Sequence, residues 1–410
     1  MKPITTTCAI VGGGPCGMML GVLLARAGVD VTVLEKYPDF FRDFRGDTIH
    51  PSTLELLYEL GWLDDFLKLP HDQLERVGAR INGEYVEVGD FTRLPTHCKF
   101  IALMPQWDFL NFLAERGKRY PTFRLLMKTN GTDIVVQNGR VTGVIASDDD
   151  GSATIDAKLV VGTDGRHSTM RERAGMAVEN LGAPMDVLWM RITKRAGDPV
   201  QPLGSMRDGR ILVTIDRNEY WQCAFLIPKG TFDQLKAAGI EALQRDIVDA
   251  VPQLEDRVKE IDDWSKVSLL EVRVDRLEKW YRPGLLCIGD AAHAMSPIGG
   301  VGINLAIQDA VASANALAAP LLAGEDTGPA LERIQVRRMF PTKVTQAFQV
   351  FVQEHAIAPI IGGTATIDRP PLAMRLFEAF PRLRGLPARL IGMGVRPEHV
   401  RTPDAFTSPS

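Results

Sequence analysis

The 410-residue chain lacks several features on which whole classes of protein depend. Its five cysteines are scattered without a Cys-x-x-Cys pair, and this pattern fits a reducing cytoplasm better than a disulfide framework or a zinc site. A net charge of -4 argues against binding of a nucleic-acid backbone, which needs a basic face.

Residues 1–7 have no apolar core, so we expect no signal peptide. The long apolar stretch 301–323 contains Asn304, Gln308 and Asp309, and we expect a buried helix there and no membrane span.

A second nucleotide-binding fingerprint is also missing, since only Gly12, Gly14 and Gly17 have the Gly-x-Gly-x-x-Gly spacing. They lie between an apolar run and a helix-like segment, and the next apolar run ends at Glu35. This order is typical of a dinucleotide-binding strand–helix–strand unit, in which the glycines permit a tight turn and close approach of a pyrophosphate. The helix N-terminus would face the phosphates, and Glu35 can accept hydrogen bonds from a ribose diol. Cys16 is either a small packing residue or a thiol made reactive by the helix N-terminus.

The chain is long enough for two domains that share a core. We expect a discontinuous dinucleotide-binding domain formed by residues 1–175 and 279–325. Alternating apolar segments predict an inserted, mainly antiparallel sheet domain in residues 176–278, to which the hairpin in residues 74–95 can contribute. Residues 326–410 are expected to form a helical C-terminal region.

A second motif lies in residues 161–171, where Asp164-Gly165 is followed by Ser168 and Arg171. An ordinary turn residue is the competing interpretation of Asp164.

A third motif begins at Gly289-Asp290, and Pro297 and a glycine-rich turn follow it. Asp290 is placed to accept hydrogen bonds from ribityl hydroxyls, although an ordinary helix cap is the alternative. The turn offers backbone N–H groups at the start of a helix, where they would stabilise negative charge on a reduced flavin ring.

Together the three motifs resemble the single-component FAD-dependent aromatic hydroxylases, the class A flavoprotein monooxygenases with the p-hydroxybenzoate hydroxylase fold. The resemblance implies an α/β fold with a Rossmann-like FAD-binding domain. It implies FAD as cofactor, NADPH or NADH as transient co-substrate, and O2. The reaction implied is hydroxylation of an aromatic or heteroaromatic small molecule through a flavin C4a-hydroperoxide.

The resemblance also assigns site residues. Pro297 is expected beside the flavin ring as the residue nearest the chemistry. The other expected cofactor-binding residues are Gly12, Gly14, Pro15, Cys16, Gly17, Glu35, Lys36, Arg45, Gln106, Asp164, Gly165, Gly289, Asp290, Gly299, Gly300, Val301, Gly302, Ile303 and Asn304.

The substrate pocket is expected between the inserted sheet and the flavin. Candidate lining residues are Trp189, Arg191, Arg210, Tyr220, Trp221 and Phe225. Side chains alternate along a strand, so only the candidates on one face of the sheet can line a pocket. No substrate base can be assigned, and His50, His71 and His293 are expected to be structural.

Three alternatives stay open at this point. A same-fold epoxidase or a polyprenyl-chain reductase would act on an apolar substrate, and the Arg- and Leu-rich segment 376–394 could then face a membrane. A non-catalytic flavin-binding redox sensor is the third. A homodimer is a further expectation.

Overall fold

The computed structural model describes residues 1–41, 48–198, 204–217, 219–363 and 372–406. Within them the strands are β1 (Ile4–Val11), β2 (Val31–Leu34), β3 (Thr48–Ile49), β4 (Asp72–Leu74), β5 (Arg76–Ile81), β6 (Glu84–Asp90), β7 (Ile101–Leu103), β8 (Phe123–Leu126), β9 (Asn130–Gln137), β10 (Arg140–Asp148), β11 (Gly151–Gly162), β12 (Val178–Asn180), β13 (Met185–Thr193), β14 (Gly204–Arg207), β15 (Arg210–Asp216), β16 (Tyr220–Pro228), β17 (Ser268–Leu270), β18 (Asp275–Leu277), β19 (Tyr281–Arg282), β20 (Leu285–Cys287) and β21 (His293–Ala294).

The helices are α1 (Pro15–Arg26), α2 (Pro51–Glu59), α3 (Leu63–Phe66), α4 (Gln106–Gly117), α5 (Thr169–Arg173), α6 (Phe232–Ala237), α7 (Ile240–Ala250), α8 (Gly302–Ala323), α9 (Gly328–Val352), α10 (Ala358–Ile361), α11 (Leu372–Ala379) and α12 (Gly385–Gly392). A π-helical turn, Gln353–Ile357, joins α9 to α10.

The first sheet confirms the expected α/β fold. Its central strands β20, β11, β1, β2 and β8 are parallel neighbours in that order. All four residues of β2 are buried, which is the pattern of a parallel strand covered on both faces. Helices α1 and α8 pack together in the adjoining apolar core. The carboxyl ends of β1, β11 and β20 therefore open at one edge of the sheet, where α/β folds bind ligands.

The second large sheet has the strand order β17, β13, β16, β15, β14, β5 and β6. Hairpin strands β5 and β6 thus belong to the same sheet as the strands between residues 185 and 270. One face of this sheet packs on α7 through apolar residues such as Leu243 and Ile247. The other face packs on residues 352–361 and on α12, and we call it the inner face. The exact division of the chain into domains stays a proposal.

Local signals account for several of these elements. Residue pairs Asn82-Gly83, Asn138-Gly139 and Asp208-Gly209 all have positive φ, as two-residue hairpin turns require. The helical segment between residues 232 and 250 is divided into α6 and α7, because Gly239 takes a φ of +93°.

The apolar helix expected in residues 301–323 is α8. A stretch of the described chain, Ile298–Ala323, is long and apolar enough to span a membrane, but 72% of an apolar 18-residue window within it is buried inside the protein. Helix α8 is therefore a core helix, and its polar residues Asn304, Gln308 and Asp309 are buried with it.

Candidate active site

The turn between β1 and α1 is built by three glycines with different surroundings. Gly12 has a φ of +111°, and a Cβ on it would lie 2.5 Å from the carbonyl oxygen of Thr163. A Cβ on Gly17 would lie 2.0 Å from the carbonyl oxygen of Gly12. A Cβ on Gly14, by contrast, would meet nothing within 4 Å. Gly12 and Gly17 are thus required by packing, whereas Gly14 keeps space open in front of the helix.

Glu35 follows β2 directly and supports this turn. Its Oε2 accepts a hydrogen bond from the backbone N–H of Gly13 at 3.1 Å, and its Oε1 accepts one from Tyr37 at 3.0 Å. The carboxylate is thereby fixed beside the glycine turn, where a ribose of a bound dinucleotide is expected. Lys36 is exposed, with its ammonium 5.0 Å from the centre of the Tyr37 ring.

The second motif starts at the end of β11. Asp164 accepts hydrogen bonds from the Ser168 hydroxyl at 2.5 Å and from the Met170 N–H at 3.1 Å. Burial raises the pKa of Asp164 despite these hydrogen bonds. Both carboxylate oxygens are engaged within the motif, so the geometry favours a role in positioning the segment. Gly165 takes a φ of +84° with open space around its Cα.

The first and third motifs meet at Cys16. A Cβ placed on Gly289 would lie 3.2 Å from the Cys16 Sγ. Burial raises the pKa of the Cys16 thiol well above its usual value, and the nearby Asp309 and Asp290 carboxylates add to the increase. These contacts favour Cys16 as a packing residue between the two loops.

Asp290 follows β20 and its side chain is partly open to solvent. Its carboxylate is 3.4 Å from the guanidinium of Arg166, which belongs to the second motif. The third motif is thus linked to the second through Asp290 and to the first through Gly289.

A buried group of charges lies beneath Gly289. Asp309 of α8 is completely buried, and its Oδ2 accepts hydrogen bonds from the Gly289 N–H at 3.1 Å and from His293 Nε2 at 2.5 Å. The other oxygen accepts one from Arg338 of α9 at 2.8 Å. Burial alone would raise the pKa of Asp309, but His293 and Arg338 outweigh it and lower the pKa. Arg338 also reaches Glu398 at 3.3 Å, so the C-terminal segment is tied into this group.

The glycine-rich turn that precedes α8 is the most open part of the third motif. Gly299 and Gly300 have φ values of +75° and +62°, and the turn is partly exposed from Pro297 to Ile303. The Pro297 carbonyl accepts a hydrogen bond from the Gly300 N–H at 3.0 Å. Val301 and Gly302 lead into α8, so backbone N–H groups and the positive end of a 22-residue helix face this turn.

Side chains from distant segments hold the turn in place. Gln349 of α9 donates to the Ser296 and Ile298 carbonyls at 2.9 and 3.0 Å. The buried Asn304 accepts hydrogen bonds from the His50 N–H at 3.2 Å and from the Thr53 hydroxyl at 2.8 Å. His50 in turn contacts the Ile391 carbonyl at 2.8 Å, and burial lowers its pKa to about 4. His50 is therefore neutral at physiological pH and structural, as expected.

The three motifs form a site that fits FAD. Open space in front of Gly14 at the N-terminus of α1 suits a pyrophosphate. The partly exposed Asp290 carboxylate suits ribityl hydroxyls, and the turn before α8 offers N–H donors to a ring carbonyl. Gln106 begins α4 and is half-buried. Arg45 lies outside the described residues.

The expected substrate residues divide between the two faces of the second sheet. Trp189 contributes to the apolar groups on the inner face. Arg191 lies on the same face two residues along β13, and its guanidinium is 4.8 Å from the Tyr220 ring. Trp189 packs in one apolar group with Ile391, whose side chain lies near Gly299. These three candidates face the side where the glycine-rich turn before α8 lies.

The other three candidates must be corrected, because they lie on the opposite face. Trp221 and Phe225 are buried in the core beneath α7. Arg210 pairs with Asp246 and Asp249 of α7 at 2.7 and 3.2 Å. Side chains alternate across a strand, and sequence alone did not show which face α7 covers.

Sequence reasoning missed the role of Asp309, Arg338 and Gln349. Asp309 had a visible signal, since an aspartate inside an apolar helix needs a buried partner. No spacing rule connects it with Arg338 or Gln349, which follow in another helix.

Comparisons with known proteins agree with this geometry. The family model described as "FAD binding domain" matches residues 5–345. The 6-methylpretetramide 4-monooxygenase of Streptomyces rimosus is 32% identical over 387 residues, which cover 94% of this chain and 92% of that protein. The para-nitrophenol 4-monooxygenase of a Pseudomonas strain is 25% identical over 333 residues, or 78% of this chain and 79% of that protein.

Among solved structures, OxyS anhydrotetracycline hydroxylase from Streptomyces rimosus superposes with a TM-score of 0.75. It is 22% identical, and the match covers 96% of this chain and 77% of that one. The p-nitrophenol 4-monooxygenase PnpA from Pseudomonas putida superposes with a TM-score of 0.74 at 22% identity. That match covers 94% of this chain and 99% of PnpA. Structural likeness at this identity shows the shared fold, and the sequence relatives show the activity: the chain belongs to the FAD-dependent aromatic monooxygenases.

Proposed function

We propose that this monooxygenase uses NAD(P)H and O2 to hydroxylate a multi-ring aromatic compound of the class of 6-methylpretetramide. The convergence of the Gly12, Asp164 and Gly289 segments on one site carries the flavin part of this proposal. The substrate class rests on the relative that matches nearly the whole chain. Trp189 and Ile391 offer such a compound apolar surface near Gly299.

Bound FAD supplies the redox chemistry and the activation of O2. The protein's part is to bind, orient and shield. The N–H groups and dipole at the start of α8 would stabilise negative charge on the flavin ring. Pro297 fixes the shape of the turn through its hydrogen bond with Gly300. Apolar residues of the inner face exclude water from the reacting atoms.

We propose that NAD(P)H phosphates bind beside the second motif. Burial lowers the pKa of His167, and the nearby cations Arg273, Arg166 and Arg171 lower it further. Arg273 is 45% exposed and Arg166 is 28% exposed, so both guanidiniums can reach a solvent-borne anion. A transient co-substrate needs such an open site.

The activity test measures NAD(P)H oxidation by the flavin-loaded enzyme with a panel of single-ring and multi-ring phenols. We expect slow oxidation alone and at least tenfold stimulation by a multi-ring phenol, with one atom from ¹⁸O2 in the product. Stimulation by single-ring phenols only would overturn the proposed substrate class. Reduction of an alkene lipid without O2 consumption would identify a reductase instead.

The assignment of the flavin loop has its own test. Asp290→Ala should abolish retention of FAD, read from the absorbance of the purified protein. The control is Asp326→Ala, whose carboxylate is 69% exposed and far from the motifs in sequence. Unchanged flavin content in Asp290→Ala would show that Asp290 is an ordinary structural residue.

We further propose a cytoplasmic location and a homodimer. All five cysteines are buried and unpaired, which fits a reducing compartment. The surface that would form a dimer is described next.

A further inference from the structure

Helix α9 carries an apolar stripe that faces solvent. Val336 is 70% exposed, Phe340 55% and Phe351 60%, and Ala347 is exposed between the last two. Exposed large apolar side chains scattered singly need no explanation, but these four follow one another along one side of a helix. Their spacing of four, seven and four residues keeps them on that side at 3.6 residues per turn.

The opposite side of α9 is committed to the core. Ile334, Arg338 and Gln346 are buried, and Arg338 pairs with Asp309. The exposed stripe is therefore fixed in orientation, and α9 cannot rotate to bury it. A second molecule is needed to cover it.

Charged residues lie at the two ends of the stripe: Glu332 and Arg333 at the first end, and Glu354 at the other. Arg333 is exposed near the first end, and Glu354 is exposed in the π-helical turn beyond the other. Turning a second copy of the helix antiparallel brings Arg333 opposite Glu354 of the partner subunit, and the reverse pair forms at the other end. In that register Val336 faces Phe351 of the partner subunit, and Phe340 faces Ala347 of the partner subunit. Such a two-fold arrangement is self-complementary, as an isologous dimer requires.

We propose that α9 pairs antiparallel with α9 of a second copy of this chain. Lys343 then lies beside Val344 of the partner subunit near the axis, where the apolar stem of the lysine packs while its ammonium reaches solvent. A lipid surface is the poorer occupant, because acidic residues Glu332 and Glu354 lie at the ends of the stripe. This proposal gives a surface to the homodimer and is independent of the reaction proposed above.

The seam from Arg333 to Glu354 is about 32 Å long at the helical rise of about 1.5 Å per residue. A single helix pair of this length buries less than the standard interface of roughly 1,200–2,000 Å². We therefore expect a dimer with a dissociation constant in the micromolar range.

The test is sedimentation velocity of the flavin-loaded protein from about 1 to about 200 µM, a range that brackets micromolar affinity. The wild type should shift from monomer to dimer, and Phe340→Glu should stay monomeric. The control is Leu386→Glu, since Leu386 is also well exposed (66%) but lies on α12. Flavin content reports that each variant is folded.

A charge swap tests the register. Arg333→Glu and Glu354→Arg should each weaken the dimer about tenfold, and the double variant R333E/E354R should recover it. A wild type that stays monomeric throughout, a dimer unaffected by Phe340→Glu, or a double variant no better than the single ones would each overturn the proposal. A vesicle of anionic phospholipid that captures the wild type but not Phe340→Glu would also overturn it, in favour of a lipid surface. Because the readout is mass, failure of the proposed reaction would leave this result untouched.

Discussion

The two loops that meet in the active site are stabilised by different means. The first, around Gly12, is held by backbone packing and by Glu35, which follows the next strand of the same βαβ unit. The second, from Gly289 to Asn304, is held by side chains of residues far along the chain, among them Arg338 and Gln349. The first loop thus takes its side-chain support from within its βαβ unit and packs on the backbone of Thr163, whereas the second depends on helices that fold against it. This difference predicts which substitutions unfold the protein and which affect only cofactor binding.

The largest effect is expected from Asp309→Asn. Removing the charge leaves Arg338 and His293 buried without their shared partner, and breaking a buried pair costs about 3–5 kcal/mol. Urea unfolding should show this loss, and the protein should bind less FAD. Asp326→Asn, which alters a surface pair with Arg140, is the matched control and should change stability little. Equal stability of the two variants would show that the second loop does not depend on the buried charges.

Acid should weaken the second loop through His50. Burial lowers the pKa of His50 from 6.5 to about 4, so between these values the unfolded chain binds a proton that the folded one does not. The free energy of unfolding should therefore be constant above about pH 6.5 and fall as the pH drops, by about 3 kcal/mol in all at about 1.4 kcal/mol per pH unit. Chemical unfolding across pH 4 to 7 measures the pH dependence of the free energy of unfolding, which should be smaller in His50→Gln than in the wild type. Identical pH slopes for the two proteins would contradict the assignment.

A pair of glycine substitutions separates folding from ligand binding in the first loop. Gly12→Ala should destabilise the protein by about 1–3 kcal/mol, because the backbone is left-handed there and Thr163 is too close. At Gly14 the backbone angles are ordinary and a Cβ would have open space. Gly14→Ala should therefore change the free energy of unfolding by less than about 0.5 kcal/mol. Its affinity for FAD should nevertheless fall, since the added methyl group occupies the space for the pyrophosphate. Titration of the apoproteins with FAD measures this affinity. An unchanged affinity for FAD in Gly14→Ala would show that the pyrophosphate binds elsewhere.

The smallest effect is expected from Arg166→Gln. Its pair with Asp290 is long at 3.4 Å and partly exposed, and such pairs contribute less than about 1 kcal/mol. Thermal unfolding should hardly change, while the KM for NAD(P)H should rise if Arg166 binds its phosphates. A loss of several kcal/mol would mean that Arg166 is a structural link between the second and third motifs.

The sequence was most informative about the first loop. Gly12, Gly14 and Glu35 lie within one βαβ unit, so their spacing predicts their geometry. The hairpin at Asn82-Gly83 was predictable for the same reason, because a two-residue turn depends on its own residues.

Long-range packing was not predictable in the same way. Alternation along β16 separated Trp221 and Phe225 from Tyr220, but only the position of α7 shows which face meets the flavin side. Likewise Asp309 was visible as a polar residue in an apolar helix, while its partner Arg338 became apparent only from the packing of α9 on α8. The family resemblance located the cofactor, and three-dimensional contacts were needed to find what supports it.

The tie between Glu398 and the buried charges has a consequence for biosynthesis. Arg338 reaches both Asp309 and Glu398, and the Glu398 carboxylate also binds Arg337 at 2.6 Å. During translation the support that Glu35 gives the first loop is available as soon as the βαβ unit has left the ribosome, and the packing of the loop against Thr163 and Gly289 follows later. The second loop cannot gain its final support until Glu398 has emerged. Under the proposed flavin assignment, a ribosome stalled before that residue should carry a chain that retains FAD poorly.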